Sequence, residues 1–228
     1  MTFRDRNDAG RQLAEKLSWL QGEEDVVVLA LPRGGVPVGT AVADALEAPL
    51  DVFLVRKLGT PGQPELALGA VASGGARVLN QRILDAVGLN PDRVDEITER
   101  EMDKLRRQEE QFRGDRPAPN IKGKTVVLID DGLATGATMH AACQAVRQLE
   151  PRQIIVAVPT APPDAVERLR PEADHVISII TPADFAGVGA WYQDFSQVSD
   201  GEVRRMLKER KSADAPEQRR RKSDTESS

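Results

Sequence analysis

Of 228 residues only Cys143 is a cysteine, and only His140 and His175 are histidines. A lone thiol excludes an internal disulfide framework and suits a reducing compartment. Without a Cys-x-x-Cys pair, the chain also lacks the usual ligands of a structural zinc site. Cys143 lies in a helical pattern with no accompanying histidine pattern, so it reads as a small core residue and not as a nucleophile. No apolar run reaches the length that spans a bilayer, and Met1-Thr2-Phe3-Arg4-Asp5-Arg6 has no signal-peptide core, so a soluble cytoplasmic protein is expected. Neither sign of charge dominates. The 31 Lys and Arg against 36 Asp and Glu leave a net charge of -5, which argues against general nucleic-acid binding, whose affinity comes mostly from neutralised phosphates. What remains is ordinary for a single soluble domain, with 40% hydrophobic and 29% charged residues.

The most informative stretch runs from Val126 to Thr138. Val126, Val127, Leu128 and Ile129 read as a strand buried on both faces, and the carboxyl ends of such strands face the ligand crevice of an open α/β sheet. Asp130 and Asp131 sit at that end. Downstream, Ala141, Ala142, Ala145, Val146 and Leu149 recur at helical spacing, so Gly132 to Thr138 must turn the chain and open a helix with its amides unpaired. Free amides at a helix N-terminus bind phosphate. Gly136 permits close backbone approach, and the hydroxyls of Thr135 and Thr138 add donors. A Walker A loop is excluded, because the acids precede the turn and no Gly-Lys-Ser or Gly-Lys-Thr follows its glycines. Two adjacent acids beside an anion cradle would repel a phosphate. They suit a ribose, whose cis-diol offers two donors to two carboxylates. The simpler reading, that the acids only cap the helix, needs one acid and not two.

A second element stands upstream. Val26 to Leu31 is another buried strand run, followed by Pro32-Arg33-Gly34-Gly35-Val36-Pro37-Val38-Gly39 and a helix pattern at Val42, Ala45 and Leu46. Paired glycines at a strand end permit unusual backbone angles and close approach, while Arg33 can meet phosphate oxygens bidentately. Alone it would be an ordinary glycine-rich turn. Leu50 to Val55 reads as the next strand, with Arg56-Lys57-Leu58-Gly59 at its end, where the cations either bind an anion or form a solvated terminus. Thr60-Pro61-Gly62-Gln63-Pro64 then reads as a loop, with Glu65 just beyond it as a hinge contact or a site acid.

Alternating strands and helices imply a parallel sheet with right-handed crossovers. Leu13, Leu17 and Leu20 predict a helix within Asp5 to Leu20. Residues 80–117 form a charged helical insertion with a thin apolar stripe at Val94, Ile97, Leu105 and Phe112, whose charges read as a solvated face and whose stripe could serve a dimer contact. A strand at Gln153 to Val158, a helix at Pro162 to Arg170 and a strand at His175 to Ile180 follow. Residues 181–207 close the domain, with Phe185, Trp191, Tyr192 and Phe195 gathered there. They either build a hood over a planar ligand or seal the edge of the core. From about Lys208 to Ser228, basic clusters interspersed with Ser, Asp and Glu predict a disordered tail.

The run from Val126 to Thr138 resembles the phosphoribosyl pyrophosphate (PRPP) motif of the type I phosphoribosyltransferases, and Arg33-Gly34-Gly35 is similar to the pyrophosphate loop of the family's purine and xanthine branch. The resemblance covers roughly residues 25 to 180. With Arg-Gly-Gly-Val-Pro-Val and a C-terminal Trp-Tyr segment, it is strongest to a group of uncharacterised bacterial phosphoribosyltransferases. It implies an open, mainly parallel twisted sheet flanked by helices, with the insertion and a small C-terminal hood. It also implies that Asp130 and Asp131 hold the ribose hydroxyls and that Ala134, Thr135, Gly136, Ala137 and Thr138 wrap the 5′-phosphate. Arg33, Gly34 and Gly35, joined by Arg56 and Lys57, would bind the pyrophosphate. Asp131, Asp130 and Arg33 would be catalytic, with Asp131 relaying a proton, and Trp191 would belong to an acceptor hood. Mg2+ would arrive on the substrate, with Asp130 as a candidate ligand. The implied reaction moves a phosphoribosyl group to a nitrogen nucleophile such as a nucleobase, with pyrophosphate release, in a homodimer. The hood lacks the Pro-Trp-Glu pattern of guanine and xanthine enzymes, so the acceptor is left unnamed. The competing readings are a PRPP-sensing regulator without turnover and a phosphorolytic or hydrolytic enzyme. A regulator needs a basic docking surface, which only the tail offers.

Overall fold

The computed structural model describes residues 2–114 and 116–210. After helix α1 (Arg6–Lys16) come strand β1 (Val26–Ala30), helix α2 (Gly35–Leu46) and strand β2 (Leu50–Val52). Every residue of β1 is buried, as its unbroken apolar run requires, and cover is needed on both faces. Val26, Val28 and Ala30 pack toward α1 and α2, while Val27 and Leu29 face the opposite core. Three further strands complete the main sheet: β6 (Thr125–Ile129), β7 (Gln153–Thr160) and β8 (His175–Ile180). They alternate with helices α5 (Ala137–Gln148) and α6 (Pro163–Leu169), which supply the second core. All pairings are parallel, in the order β2-β1-β6-β7-β8. From β1 the chain builds outward to β2, and from β6 it builds the other way to β7 and β8. The carboxyl ends of β1 and β6, with Ala30 opposite Ile129, therefore flank the switch in strand order where ligands of open α/β sheets bind.

Between these halves the structure departs from expectation. Arg56 and Lys57 do not end a parallel strand. They lie within β3 (Val55–Thr60), the first arm of a three-stranded antiparallel sheet with β4 (Gln63–Ala72) and β5 (Ala76–Leu79). The supposed loop at residues 60–64 is the turn of this hairpin. Thr60 pairs with Gln63, and Gly62 takes a left-handed φ of 78° after Pro61, the angle a Pro-Gly turn requires.

The insertion is helical as expected, with α3 (Gln81–Val87) and α4 (Pro91–Arg113). Its stripe of Val94, Ile97, Leu105 and Phe112 is buried within the chain, so it serves internal packing and not a dimer contact. The C-terminus of α4 is pinned by Arg113, whose side chain is 6% exposed. Its Nε donates to Asp51 Oδ2 at 2.7 Å, and other nitrogens reach Val52 O and Glu109 Oε1. Burial raises the Asp51 carboxyl above its ordinary range even with Arg113 beside it. Arg113→Met should therefore strand a buried acid and cost about 3–5 kcal/mol in chemical denaturation, whereas pairing it with Asp51→Asn should recover much of the loss.

The ordered chain also runs further than expected. Residues 200–210 form a final helix, α7, whose Val203 and Leu207 enter the core beneath α1 and α2. Its last described residue, Arg210, pairs with Asp44 and donates to the carbonyls of Ala43 and Ala48. The expected tail boundary at Lys208 thus falls inside a helix, and the remainder of that tail, 211–228, lies outside the described residues. Among the described residues no helix is long and apolar enough to cross a membrane.

Candidate functional site

Gly34 and Gly35 follow β1, and Asp130 and Asp131 follow β6. The parallel pairing of the two strands presses these loops together. A Cβ added to Gly34 would stand 1.9 Å from Asp131 Oδ2, and one added to Gly35 would stand 2.7 Å from Ile129 O and 2.9 Å from Asp130 Cα. The glycines are therefore needed for space. Gly34 has an ordinary helical backbone, φ -62° and ψ -33°, so the unusual angles expected for it are absent. Arg33 projects beside this junction, half exposed, 3.7 Å from Asp200 at the start of α7.

The two acids differ in their surroundings. Asp130 Oδ1 accepts from the backbone N–H of Asp131 at 2.8 Å, and among the described residues no side chain donates to its carboxylate. Burial and the neighbouring Asp131 charge hold its carboxyl well above the usual range. Asp131 is also pushed up by burial, but Arg6 opposes the shift, donating from Nε to Oδ2 at 2.8 Å. A clustered acid pair kept partly against ionisation is a common mark of a functional site.

Gly136 caps α5 with a left-handed φ of 74°, and His140 N bonds back to its carbonyl. Ala137 N reaches Thr135 Oγ1 at 3.4 Å, while among the described residues nothing accepts from the amides of Thr138 and Met139. Ala134, Thr135, Ala137 and Thr138 line the open side of this turn, with Ala134 and Thr135 exposed. Arg168 of α6 steadies the turn from behind by donating to Thr135 O at 3.2 Å. Thr135, Ala137 and Thr138 also line a cleft of about 1040 Å³ whose opposite wall is the β3–β4–β5 sheet, including Lys57, with Arg82 of α3 beside it. Lys57 pairs there with Glu65 at 2.9 Å. Arg56 points elsewhere. Its guanidinium is bound to Glu101 of α4 at 3.0 Å, which ties the hairpin to the insertion. Cys143 takes no part, being buried in the core with its thiol pushed up to about 12 by burial.

The C-terminal aromatic segment closes the crevice from the far side. Val188 packs where a Cβ on Gly132 would be, and Tyr192 donates its hydroxyl to Asp131 O at 2.6 Å. Trp191 packs against a cluster of Phe3, Ala9 and Tyr192. The N-terminal arm is laced to this segment by bonds from Phe3 N to Trp191 O, Gln193 N to Phe3 O and Asp194 N to Arg4 O. Phe195 is the more open ring, with the Arg6 guanidinium 3.9 Å from its centroid. Neither Arg6 nor Arg168 stands out in the sequence as a site residue. Arg6 sits at the start of an amphipathic helix, where an arginine looks solvated, and its partners are far away in sequence.

A family model described as a phosphoribosyl transferase domain matches residues 4–194. Two Mycobacterium tuberculosis proteins, from strains CDC 1551 / Oshkosh and H37Rv, provisionally named phosphoribosyl transferases, are 48% identical over 201 residues. These matches take in 88% of this chain and 45% of the relatives, so the chain spans about half the length of the curated relatives it matches. A crystal structure from Thermus thermophilus is 50% identical with a TM-score of 0.81, over 91% of this chain and 98% of that one. Since the matched span runs from the N-terminal arm through both strand-end loops to the aromatic segment, the chain belongs to the phosphoribosyl transferase domain family.

Proposed function

We propose that this chain binds PRPP across the carboxyl ends of β1 and β6 and transfers its phosphoribosyl group to a nitrogen nucleophile of nucleobase type, releasing pyrophosphate. The observation that carries the reading is the contact of Gly34 and Gly35 with Asp131 and Asp130. It sets a pyrophosphate-type loop against a ribose-type acid pair, with the open N-terminus of α5 one turn downstream. A ligand with an anion at each end of a ribose matches that spacing of donors and acceptors.

In this reading the free amides and the Thr135 and Thr138 hydroxyls anchor the 5′-phosphate, and Asp130 and Asp131 accept from the ribose hydroxyls. Arg33 and the backbone at Gly34 and Gly35 meet the pyrophosphate, with Lys57 across the cleft as a further cation. As the bond at C1′ breaks, positive charge grows on the ribose beside the two carboxylates, and negative charge grows on the leaving group beside Arg33. Asp131 takes the proton that the nucleophile loses. Among the described residues no three ligating side chains cluster for a metal. That fits magnesium carried by a diphosphate and its waters, with at most one or two protein carboxylates, and among the described residues Asp130 is the acid of the pair that no cation bonds directly. Bound there, Mg2+ would neutralise charge on the leaving pyrophosphate. Homodimeric assembly and a cytoplasmic site of action complete the reading.

The test is a screen for pyrophosphate release from Mg·PRPP with a panel of nucleobases and small amines. Release with at least one acceptor is expected. A blank panel with PRPP still bound would turn the reading toward a sensor without turnover.

A further inference from the structure

Arg6 is the first residue of α1, yet its side chain is only 11% exposed and that of Asp131 13%. Two of its nitrogens and the face of its guanidinium are engaged. Nε donates to Asp131 Oδ2 at 2.8 Å, one terminal nitrogen donates to Ser196 O at 2.7 Å, and the guanidinium carbon lies 3.9 Å from the Phe195 ring centroid. Three distant segments therefore meet on one planar group, a role for which a lysine is a poor substitute. Asp131 Oδ2 is enclosed between Arg6 and the backbone at Gly34, which fixes the carboxylate from that side. Tyr192 fixes the same residue by its carbonyl. The Phe3–Tyr192 bridge ties the arm that carries Arg6 to the segment that carries Phe195 and Ser196.

Resting on the function proposed above, we infer that Arg6 is a positioning residue. It turns the Asp131 carboxylate to receive a ribose hydroxyl, and it can do so only while residues 192–196 are docked against it. Seating of the C-terminal segment and readiness of the ribose site are then one event. Phe195 acts on the ribose site chiefly through the Arg6 guanidinium on its face, and its ring also packs on Tyr192, which holds the Asp131 carbonyl.

The experiment is a double-mutant cycle read by calorimetric titration of Mg·PRPP into the full chain, with thermal melting of each variant in parallel. Arg6→Gln should weaken binding by about tenfold or more, the loss of one well-placed charged hydrogen bond, while Arg6→Lys should fall between it and wild type. Phe195→Leu should weaken binding in the wild-type background and have a clearly smaller effect on Arg6→Gln, since residues that act through a shared contact are not additive. Wild-type affinity in Arg6→Gln, or an equal Phe195→Leu loss in both backgrounds, overturns the inference. If Arg6→Gln does not fold, the same cycle is run on Arg6→Lys with the same criteria. A wild-type chain that binds no Mg·PRPP overturns the functional reading itself, and this inference with it. That outcome is recognisable because the wild-type trace alone is flat.

Discussion

Gly34→Ala should abolish most PRPP binding while leaving the chain folded. Its backbone is already helical, so alanine meets no conformational penalty there, and the whole effect comes from one methyl group 1.9 Å from Asp131 Oδ2. Asp131 cannot simply swing aside, because Arg6 holds its carboxylate and Tyr192 holds its carbonyl. Misplacing the carboxylate should weaken Mg·PRPP by about 100-fold, and overpacking should cost about 1–3 kcal/mol of stability. Gly35→Ala behaves differently. Its methyl would meet Ile129 O and Asp130 Cα, backbone atoms at the end of β6, and Ile129 O already accepts from Leu31 N at 2.8 Å. Forcing β1 and β6 apart at that point should cost more in denaturant titration than Gly34→Ala does. Equal stability losses in the two variants would mean that the loops are not packed as described.

The acid pair should separate stability from function. Asp130 has its carboxyl raised by burial and by Asp131. A carboxyl raised in the folded chain favours folding below its unfolded value, and that contribution is lost as pH rises through the folded value. At neutral pH an ionised Asp130 therefore costs stability, and Asp130→Asn should melt at or above the wild-type temperature. The gain should shrink as the pH falls toward about 4, the range of an unfolded aspartate. The same variant should lose about 100-fold in Mg·PRPP affinity, because a ribose hydroxyl loses a charged acceptor in a partly buried crevice. Asp131→Asn should lose affinity similarly but should also lose stability, on the order of 3 kcal/mol, since it leaves Arg6 facing a neutral amide in a largely buried place. A site kept for binding at the expense of the fold is the expected pattern for a functional pair.

How much of this was legible depended on how far apart the cooperating residues lie in sequence. β1 and β6 were readable because an uninterrupted apolar run has few uses other than a strand covered on both sides. The turn from Gly132 to Thr138 was readable because its parts are contiguous. The β3–β4–β5 sheet was not, because Gly59, Ala67, Gly69 and Ala70 blur the alternation by which a strand is recognised. α7 was missed because its buried Val203 and Leu207, with Met206 partly buried beside them, sit among charges that resemble a solvated surface. Of the two uses expected of the paired glycines, close approach holds and special angles do not, because Gly34 has a helical backbone and must leave room for a carboxylate from another strand. Arg6 could not have been found by any local pattern, since its role exists only where α1, the end of β6 and the C-terminal segment come together.

The central claim is that β1 and β6 end in a site for a ribose carrying an anion at both ends. Calorimetric titration of Mg·PRPP into the wild-type chain, beside Asp130→Asn and Asp131→Asn, tests it most directly. Saturable binding at one site per chain, weakened by about 100-fold in both variants, is the predicted result. No wild-type binding at millimolar Mg·PRPP, or binding unaffected by loss of either acid, would contradict it.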